Sequence, residues 1–158
     1  LQAVRYCVDL SLAELADELY RLVDVSQLDV SQKVVHRRLA AEVLLQENLK
    51  SEKALAILRE LVAANPTDTH SLYLVGNILL RKQLHQEALV IFDQAIHSDG
   101  SHSQPALLKK AELLASLERY QQAIASLDTY LKTNQSEAVA SYREAIKNVV
   151  KARTTVRQ

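Results

Sequence analysis

The sequence has few turn-forming residues, with two glycines and two prolines among 158 residues. A β-rich or loop-rich fold of this length needs many more of them, so long helices joined by short polar connections are favoured. Tryptophan and methionine are absent, and phenylalanine occurs once, although 48% of the residues are hydrophobic. The core must therefore consist mainly of leucine, isoleucine, valine and alanine, a set that suits close packing of helices.

Neither sign of charge is in excess, because 19 basic residues balance 19 acidic ones. Proteins that bind nucleic acid usually carry surplus lysine and arginine, so we expect no nucleic-acid partner. Apolar runs of about 18 residues are also missing, and we expect no membrane insertion.

The start of the sequence shows neither an initiator methionine nor the pattern of a secretory signal. We expect a fragment of a longer protein, or a processed chain. The single cysteine, Cys7, cannot form an internal disulfide, which favours a cytoplasmic location. A periplasmic location stays open for a processed chain.

One sequence pattern recurs three times with a period near that of helical repeats. Ala54, Ala88 and Ala123 are separated by 34 and 35 residues. A large apolar residue follows each alanine after four positions, at Leu58, Phe92 and Leu127. Each segment then ends on turn chemistry, at Asn65-Pro66, Asp99-Gly100 and Asn134-Gln135. A period of this length predicts stacked pairs of helices.

A second helix precedes each of these segments and carries a small residue twelve or thirteen positions before the alanine: Ala41, Gly76 and Ala111. Two antiparallel helices can approach closely only where one side chain is nearly absent. A glycine inside a helix costs about 1 kcal/mol relative to alanine. The spacing therefore predicts that Gly76 lies at a close contact between helices, where the missing side chain is needed.

Together these patterns resemble the tetratricopeptide repeat. The middle unit matches best, with Leu72, Val75, Gly76, Leu79, Ala88, Phe92 and Ala95. The first unit departs from the family at Arg37, where a large apolar residue is usual, and the third has Gln135 in place of proline. The resemblance covers about residues 31–135. It implies an all-α fold, a right-handed superhelical array of antiparallel helix pairs of the TPR-type α-solenoid.

The expected organisation is a single helical repeat domain over residues 1–158. Its repeat units are 31–67, 68–103 and 104–135, preceded by a degenerate or truncated repeat at 1–30. Residues 136–158 are expected to form a capping helix, because a solenoid otherwise exposes the apolar face of its last repeat. The expected inward stripe of that helix is Val139, Tyr142, Ile146, Val149 and Val150. The predicted helices are 1–8, 11–24, 31–47, 51–64, 68–81, 85–97, 104–117, 121–133 and 136–155.

Function also follows from the resemblance. In this family a concave face, lined by the first helix of each pair, receives a peptide or helix from a partner protein. We therefore expect a protein-interaction or scaffold module and not an enzyme. The register places these side chains on that face: Arg38, Glu42, Leu45, His70, Tyr73, Asn77, Leu80, Arg81, Lys109, Glu112 and Ser116.

Within this set, Tyr73, Asn77 and Arg81 are spaced four apart along one helix face. Aromatic and arginine side chains are enriched at binding hot spots, so this row is the leading candidate for contact with a partner. Glu42 and Ser116 are better explained as solvated polar positions.

Two other functions remain open, a small chaperone for a secreted or hydrophobic client and an accessory domain of a larger enzyme. A markedly apolar groove would favour the chaperone. Some family members grip a terminal carboxylate with a basic-plus-asparagine clamp. Here Tyr73 replaces the lysine of that clamp and Glu42 adds a negative charge, so such a clamp is not expected.

The sequence predicts no catalytic, cofactor or metal site. His97, Asp99 and His102 share one turn, but their spacing matches no common zinc pattern. Cys7 has no histidine close in sequence and is better explained as a buried thiol. Phosphate-binding and hydrolase motifs are also missing.

The two ends of the chain differ in charge. Residues 1–30 carry six acidic and two basic residues, and residues 136–158 carry two acidic and five basic ones. This difference in charge could attract the ends of two copies to each other, giving self-association through the charged ends. It could also attract the basic end to an acidic partner. Two solvated helix surfaces would show the same difference.

Overall fold

The computed structural model describes residues 1–49 and 51–156, and within these ranges the chain is helical without β-strands. The nine α-helices are α1 (Gln2–Asp9), α2 (Ala13–Arg21), α3 (Val30–Glu47), α4 (Glu52–Ala64), α5 (Thr69–Arg81), α6 (His85–His97), α7 (Ser103–Ser116), α8 (Tyr120–Thr133) and α9 (Glu137–Val156). A short 3-10 turn, Val25–Gln27, precedes α3 and was not predicted. All nine predicted helices are present, which confirms the all-α fold class.

The helices pack mainly on their neighbours in the sequence, from α1 through to α9. The first helices of adjacent pairs also meet, α1 with α3 and α5 with α7. Contact restricted to neighbouring units is the mark of a helical solenoid. Within the described ranges, none of the helices combines the length and apolar character needed to cross a membrane.

The repeated small and large residues form the centre of the main core, which extends from α3 to α9. Six repeat positions are at most 1% exposed: Ala54, Leu58, Ala88, Phe92, Ala123 and Leu127. The three small residues of the preceding helices are buried as well: Ala41, Gly76 and Ala111. The repeat register read from the sequence is therefore confirmed as the register of the core.

Gly76 lies directly against the ring of Phe92. A methyl group added at Gly76 would lie 2.4 Å from the nearest carbon of that ring. No such separation is tolerated between real side chains, so α5 and α6 can adopt their spacing only with glycine at this position. The close helix contact predicted from the repeat is confirmed.

A second, smaller core joins α1 and α2 to α3, and consists of Val4, Cys7, Ala16, Leu39 and Val43. The Cys7 thiol is buried here, as expected. The ring of Tyr20 stacks on that of His36 with 4.3 Å between centroids. This N-terminal core is built from few side chains, and large apolar residues around it remain exposed, including Tyr6 and Leu22.

Side-chain caps explain where α3 and α5, the first helices of their pairs, begin. The Asp29 carboxylate accepts a hydrogen bond from the Gln32 backbone N–H at 2.8 Å, and the Gln32 side chain accepts one from the Asp29 N–H at 3.0 Å. This reciprocal capping box fixes the start of α3. Asp68 similarly caps α5 by accepting from the Ser71 backbone N–H.

The inward stripe predicted for α9 is only partly correct. Ile146 is buried, but Tyr142 is 38% and Val149 is 43% exposed. Polar contacts hold the helix instead: Arg143 donates to Asp128 at 2.7 Å, and Arg153 donates twice to Glu118 at 2.9 Å. The apolar surface that α9 can bury against α8 is narrow, which leaves Tyr142 and Val149 outside it.

Candidate functional site

A groove of about 570 Å³ opens along the first helices of the pairs. Its lining residues are Val8, Ser11, Ala13, Glu42, Leu45, Gln46, Leu49, His70, Tyr73, Leu74, Asn77, Ile78, Arg81 and Lys109. Most of them come from α1, the start of α2, α3, α5 and α7, whereas Ser11 and Leu49 lie in the connections after α1 and α3. Because α5 supplies the middle of this surface, we call it the α5 groove.

Six of the eight candidate site residues line the α5 groove: Glu42, His70, Tyr73, Asn77, Arg81 and Lys109. The row on α5 is thus continuous within one surface. Arg38 and Glu112 lie outside the groove lining. Ser116 is exposed, in keeping with a solvated polar position.

Arg38 is engaged within the fold. Its guanidinium donates to the Asp68 carboxylate at 2.7 Å and to the Ser71 hydroxyl at 3.2 Å. Burial opposes ionisation of Asp68, but hydrogen bonds from Ser71 and Arg38 outweigh it and lower the pKa of this carboxyl. Since Asp68 also caps α5, Arg38 connects α3 to the first turn of the next repeat.

The expectation that Glu42 is solvated is wrong, because its side chain is buried. Arg5 of α1 donates two hydrogen bonds to the carboxylate, one of 3.1 Å, and His70 Nε2 lies 3.2 Å from it. Burial works against the charged form, but the bonds and charges of His70 and Arg5 outweigh it, and the pKa of Glu42 lies below its ordinary value. The partner Arg5 is 37 positions away, so no local pattern could indicate it.

His70 continues this cluster toward α7 by stacking on His102, with 4.0 Å between ring centroids and 5° between planes. The Tyr73 ring lies 5.6 Å from that of His102 and 6.5 Å from that of Phe92. His97 is not part of this cluster, and its Nδ1 lies 2.7 Å from the Asp93 carbonyl oxygen. In the described part of the chain, no group of three or more His, Cys, Asp or Glu side chains is arranged to hold a metal ion.

His102 should make stability fall in mildly acidic solution. Burial, followed by the charges of His70 and Arg38, lowers the pKa of His102 below its ordinary value of 6.5. The unfolded chain then binds the proton more readily, so this contribution to stability is complete above pH 6.5 and is lost as the pH falls. Histidine titrates in the range between about pH 7.5 and 5.5. When the pH is lowered across this range, urea unfolding should show a larger loss in the free energy of unfolding for the wild type than for His102→Gln. His97→Gln is the matched control and should behave as the wild type; equal losses in all three proteins would refute the assignment.

Three features of the α5 groove remain free to interact. Arg81 is exposed and forms no ion pair within residues 1–49 and 51–156, while Lys109 bonds only the exposed Glu112, at 2.7 Å. Gln46 donates to the Val8 carbonyl oxygen at 2.7 Å, but its own Oε1 is buried and has no hydrogen-bond partner in the described part of the chain. Apolar side chains, among them the half-exposed Leu49, surround these polar groups.

The fold and the α5 groove define a repeat protein of the tetratricopeptide type, a class of protein–protein interaction modules. Residues 47–130, more than half of the chain, match the family model described as "Anaphase-promoting complex, cyclosome, subunit 3". The chain belongs to this family of tetratricopeptide-type repeats.

A solved protein, YrrB, shares the fold. It is described as "a TPR protein with an unusual peptide-binding site", and the likeness covers 90% of this chain and 71% of that one. The TM-score is 0.67 at 19% sequence identity. Among curated proteins no sequence matches the chain.

Proposed function

We propose that this chain is an interaction module that holds a segment of a partner protein in the α5 groove. The observation that carries the proposal is the row on α5. Tyr73, Asn77 and Arg81 face one groove, and neither Asn77 nor Arg81 forms a hydrogen bond or ion pair with another described residue through its side chain.

A rigid surface of this kind is suited to binding. The groove is built on helices, so few loops have to be ordered when a partner segment enters, and the entropy cost of association is low. Aromatic and arginine side chains supply much of the binding energy at protein interfaces. The peptide site named for YrrB supports the same class of ligand.

The variant that tests this proposal must leave the fold intact. Tyr73 packs near Phe92 and His102, so its removal would disturb the core as well as the groove. Asn77 is half-buried and Arg81 is exposed, and the side chain of neither has a polar partner among residues 1–49 and 51–156. Asn77→Ala/Arg81→Ala should therefore fold as the wild type does, which circular dichroism and a thermal melt would check.

Site-specific photo-crosslinking tests the location of the contact. A benzoylphenylalanine placed at Leu49, which lines the α5 groove and is 49% exposed, should crosslink to a partner in cell extract, and Asn77→Ala/Arg81→Ala should abolish the adduct. The same group at Val90, which is 65% exposed on α6 outside the groove, is the matched control. Adducts of the same partner that form equally from both positions, or that survive the double substitution, would contradict the proposal.

A further inference from the structure

The α5 groove is chemically two-sided. Its N-terminal side is apolar, with Val8 of α1, Leu45 of α3 and Leu49, which follows the end of α3. Its opposite side is cationic, with Arg81 at the C-terminal end of α5 and Lys109 on α7. Leu74 on α5, which is partly buried, continues the apolar surface between the two sides.

The described residues that line the groove provide no free carboxylate to neutralise Arg81 and Lys109. The lining contains one carboxylate, that of Glu42, and Arg5 and His70 already pair with it. Lys109 has an ion pair with Glu112 three residues away on the same helix, where both side chains are accessible to water. Such exposed pairs contribute little, so an entering carboxylate can replace Glu112 at small cost. Arg81 needs no such exchange.

The side chain of Gln46 favours a ligand that can donate a hydrogen bond. Its side-chain nitrogen is bound to the Val8 carbonyl oxygen, which fixes the amide so that Oε1 is the free atom. A buried acceptor without a partner costs about 1–3 kcal/mol, and a ligand that supplies an N–H recovers part of that cost. Every residue of a peptide other than proline carries such a group on its backbone.

From these three features, and resting on the proposed function, we propose that the occupant is an acidic peptide segment in which a bulky aliphatic side chain accompanies aspartate or glutamate. The aliphatic side chain packs against Leu45, Leu49 and Leu74. The carboxylate pairs with Arg81 and Lys109, and a backbone N–H of the segment donates to Gln46 Oε1.

Binding of defined peptide pools tests this chemistry directly. The probes are fluorescein-labelled twelve-residue pools of one design, each with a fixed leucine followed, at spacings of about one helical turn or more, by Asp, Asn or Lys. Fluorescence anisotropy at low salt should rank the Asp pool first, on the order of five- to tenfold tighter than the Asn pool, with the Lys pool weakest. The preference should shrink at high salt, because accessible charges are screened. Replacing the leucine by serine should weaken the Asp pool.

Two variants of the protein assign the contacts. Arg81→Glu/Lys109→Glu should reverse the order, so that the Lys pool binds better than the Asp pool. Lys53→Glu/Lys132→Glu makes the same change in net charge at exposed positions outside the groove and should leave the order unchanged. Gln46→Leu should weaken all pools while keeping their order.

Each outcome decides between the two proposals. The predicted ranking, with reversal only in the groove variant, supports the acidic ligand. Equal affinity for the three pools, or a reversal caused equally by the control variant, overturns the inference and leaves the interaction module standing. Failure of every pool to bind also overturns the inference, whereas the proposed function is judged by crosslinking of whole proteins, which uses no peptide pool.

Discussion

Gly76→Ala is expected to destabilise the protein by about 1–3 kcal/mol, as overpacking of a core does. The added methyl group would lie 2.4 Å from the ring of Phe92, a side chain that is completely buried. This cost must exceed a gain of about 1 kcal/mol, because alanine is the better helix former. Urea unfolding followed by circular dichroism would measure the difference in the free energy of unfolding.

The neighbouring repeats supply the compensating substitution. Where the second repeat has Gly76 and Phe92, the first has Ala41 and Leu58, and the third has Ala111 and Leu127. The double variant Gly76→Ala/Phe92→Leu should therefore lose less unfolding free energy than the sum of the losses in the two single variants. Asn77→Ala, on the same helix but in the groove, is a control with little expected effect. Additive losses would show that the Phe92 ring is not the cause of the damage.

Glu42→Gln is expected to lower the free energy of unfolding by about 2–4 kcal/mol at neutral pH, because breaking a buried ion pair leaves a charged partner without compensation. The partner in this case is Arg5, whose side chain is 32% exposed and still has the exposed Asp9 carboxylate 3.9 Å away. Both features keep the effect below the largest values for fully buried pairs. Since Arg5 belongs to α1, the loss should appear first as faster hydrogen exchange in Gln2–Asp9.

Acid titration gives this prediction a second readout. The pKa of Glu42 in the folded protein lies below its ordinary value of 4.5, so its stabilising effect is complete above pH 4.5 and is lost as the pH falls through the folded-state pKa. Below pH 4.5 the wild type should therefore lose more stability than Glu42→Gln. Glu112→Gln, at an exposed position beside the groove, should match the wild type. If the wild type and Glu42→Gln had the same free energy of unfolding at both neutral and acid pH, the buried pair would be excluded as a source of stability.

The sequence predicted the helices and the repeat register because both follow from local patterns. The period of the alanines, the small residues opposite them and the scarcity of glycine and proline all indicated one fold. The prediction that Gly76 lies at a close contact needed only the spacing between two helices. Positions on α5 such as Tyr73 and Asn77 could be assigned to one face for the same reason, since helix geometry alone determines which residues share a face.

Side-chain contacts between neighbouring repeats could not be predicted in this way. Glu42 was interpreted as solvated because nothing near it in the sequence suggests a partner, whereas the structure pairs it with Arg5 and His70. The stacking of His70 on His102 likewise depends on how α5 and the start of α7 are placed relative to each other. A polar residue on the concave side of a solenoid can face solvent or the next repeat, and only the superhelical geometry distinguishes the two.

The α5 groove shares one of its sides with the small N-terminal core. Val8 belongs to α1, Ala13 begins α2, and Ser11 lies in the turn between them. These helices are attached through few buried side chains, through the bond from Gln46 to the Val8 carbonyl oxygen and through the ion pair of Arg5 with Glu42. A segment attached so lightly opens by local unfolding at lower cost than the main core. The shape of the groove therefore depends on the folding equilibrium of its least stable pair of helices. Occupancy of the groove by the proposed partner would therefore be linked thermodynamically to order in α1 and α2, each raising the population of the other.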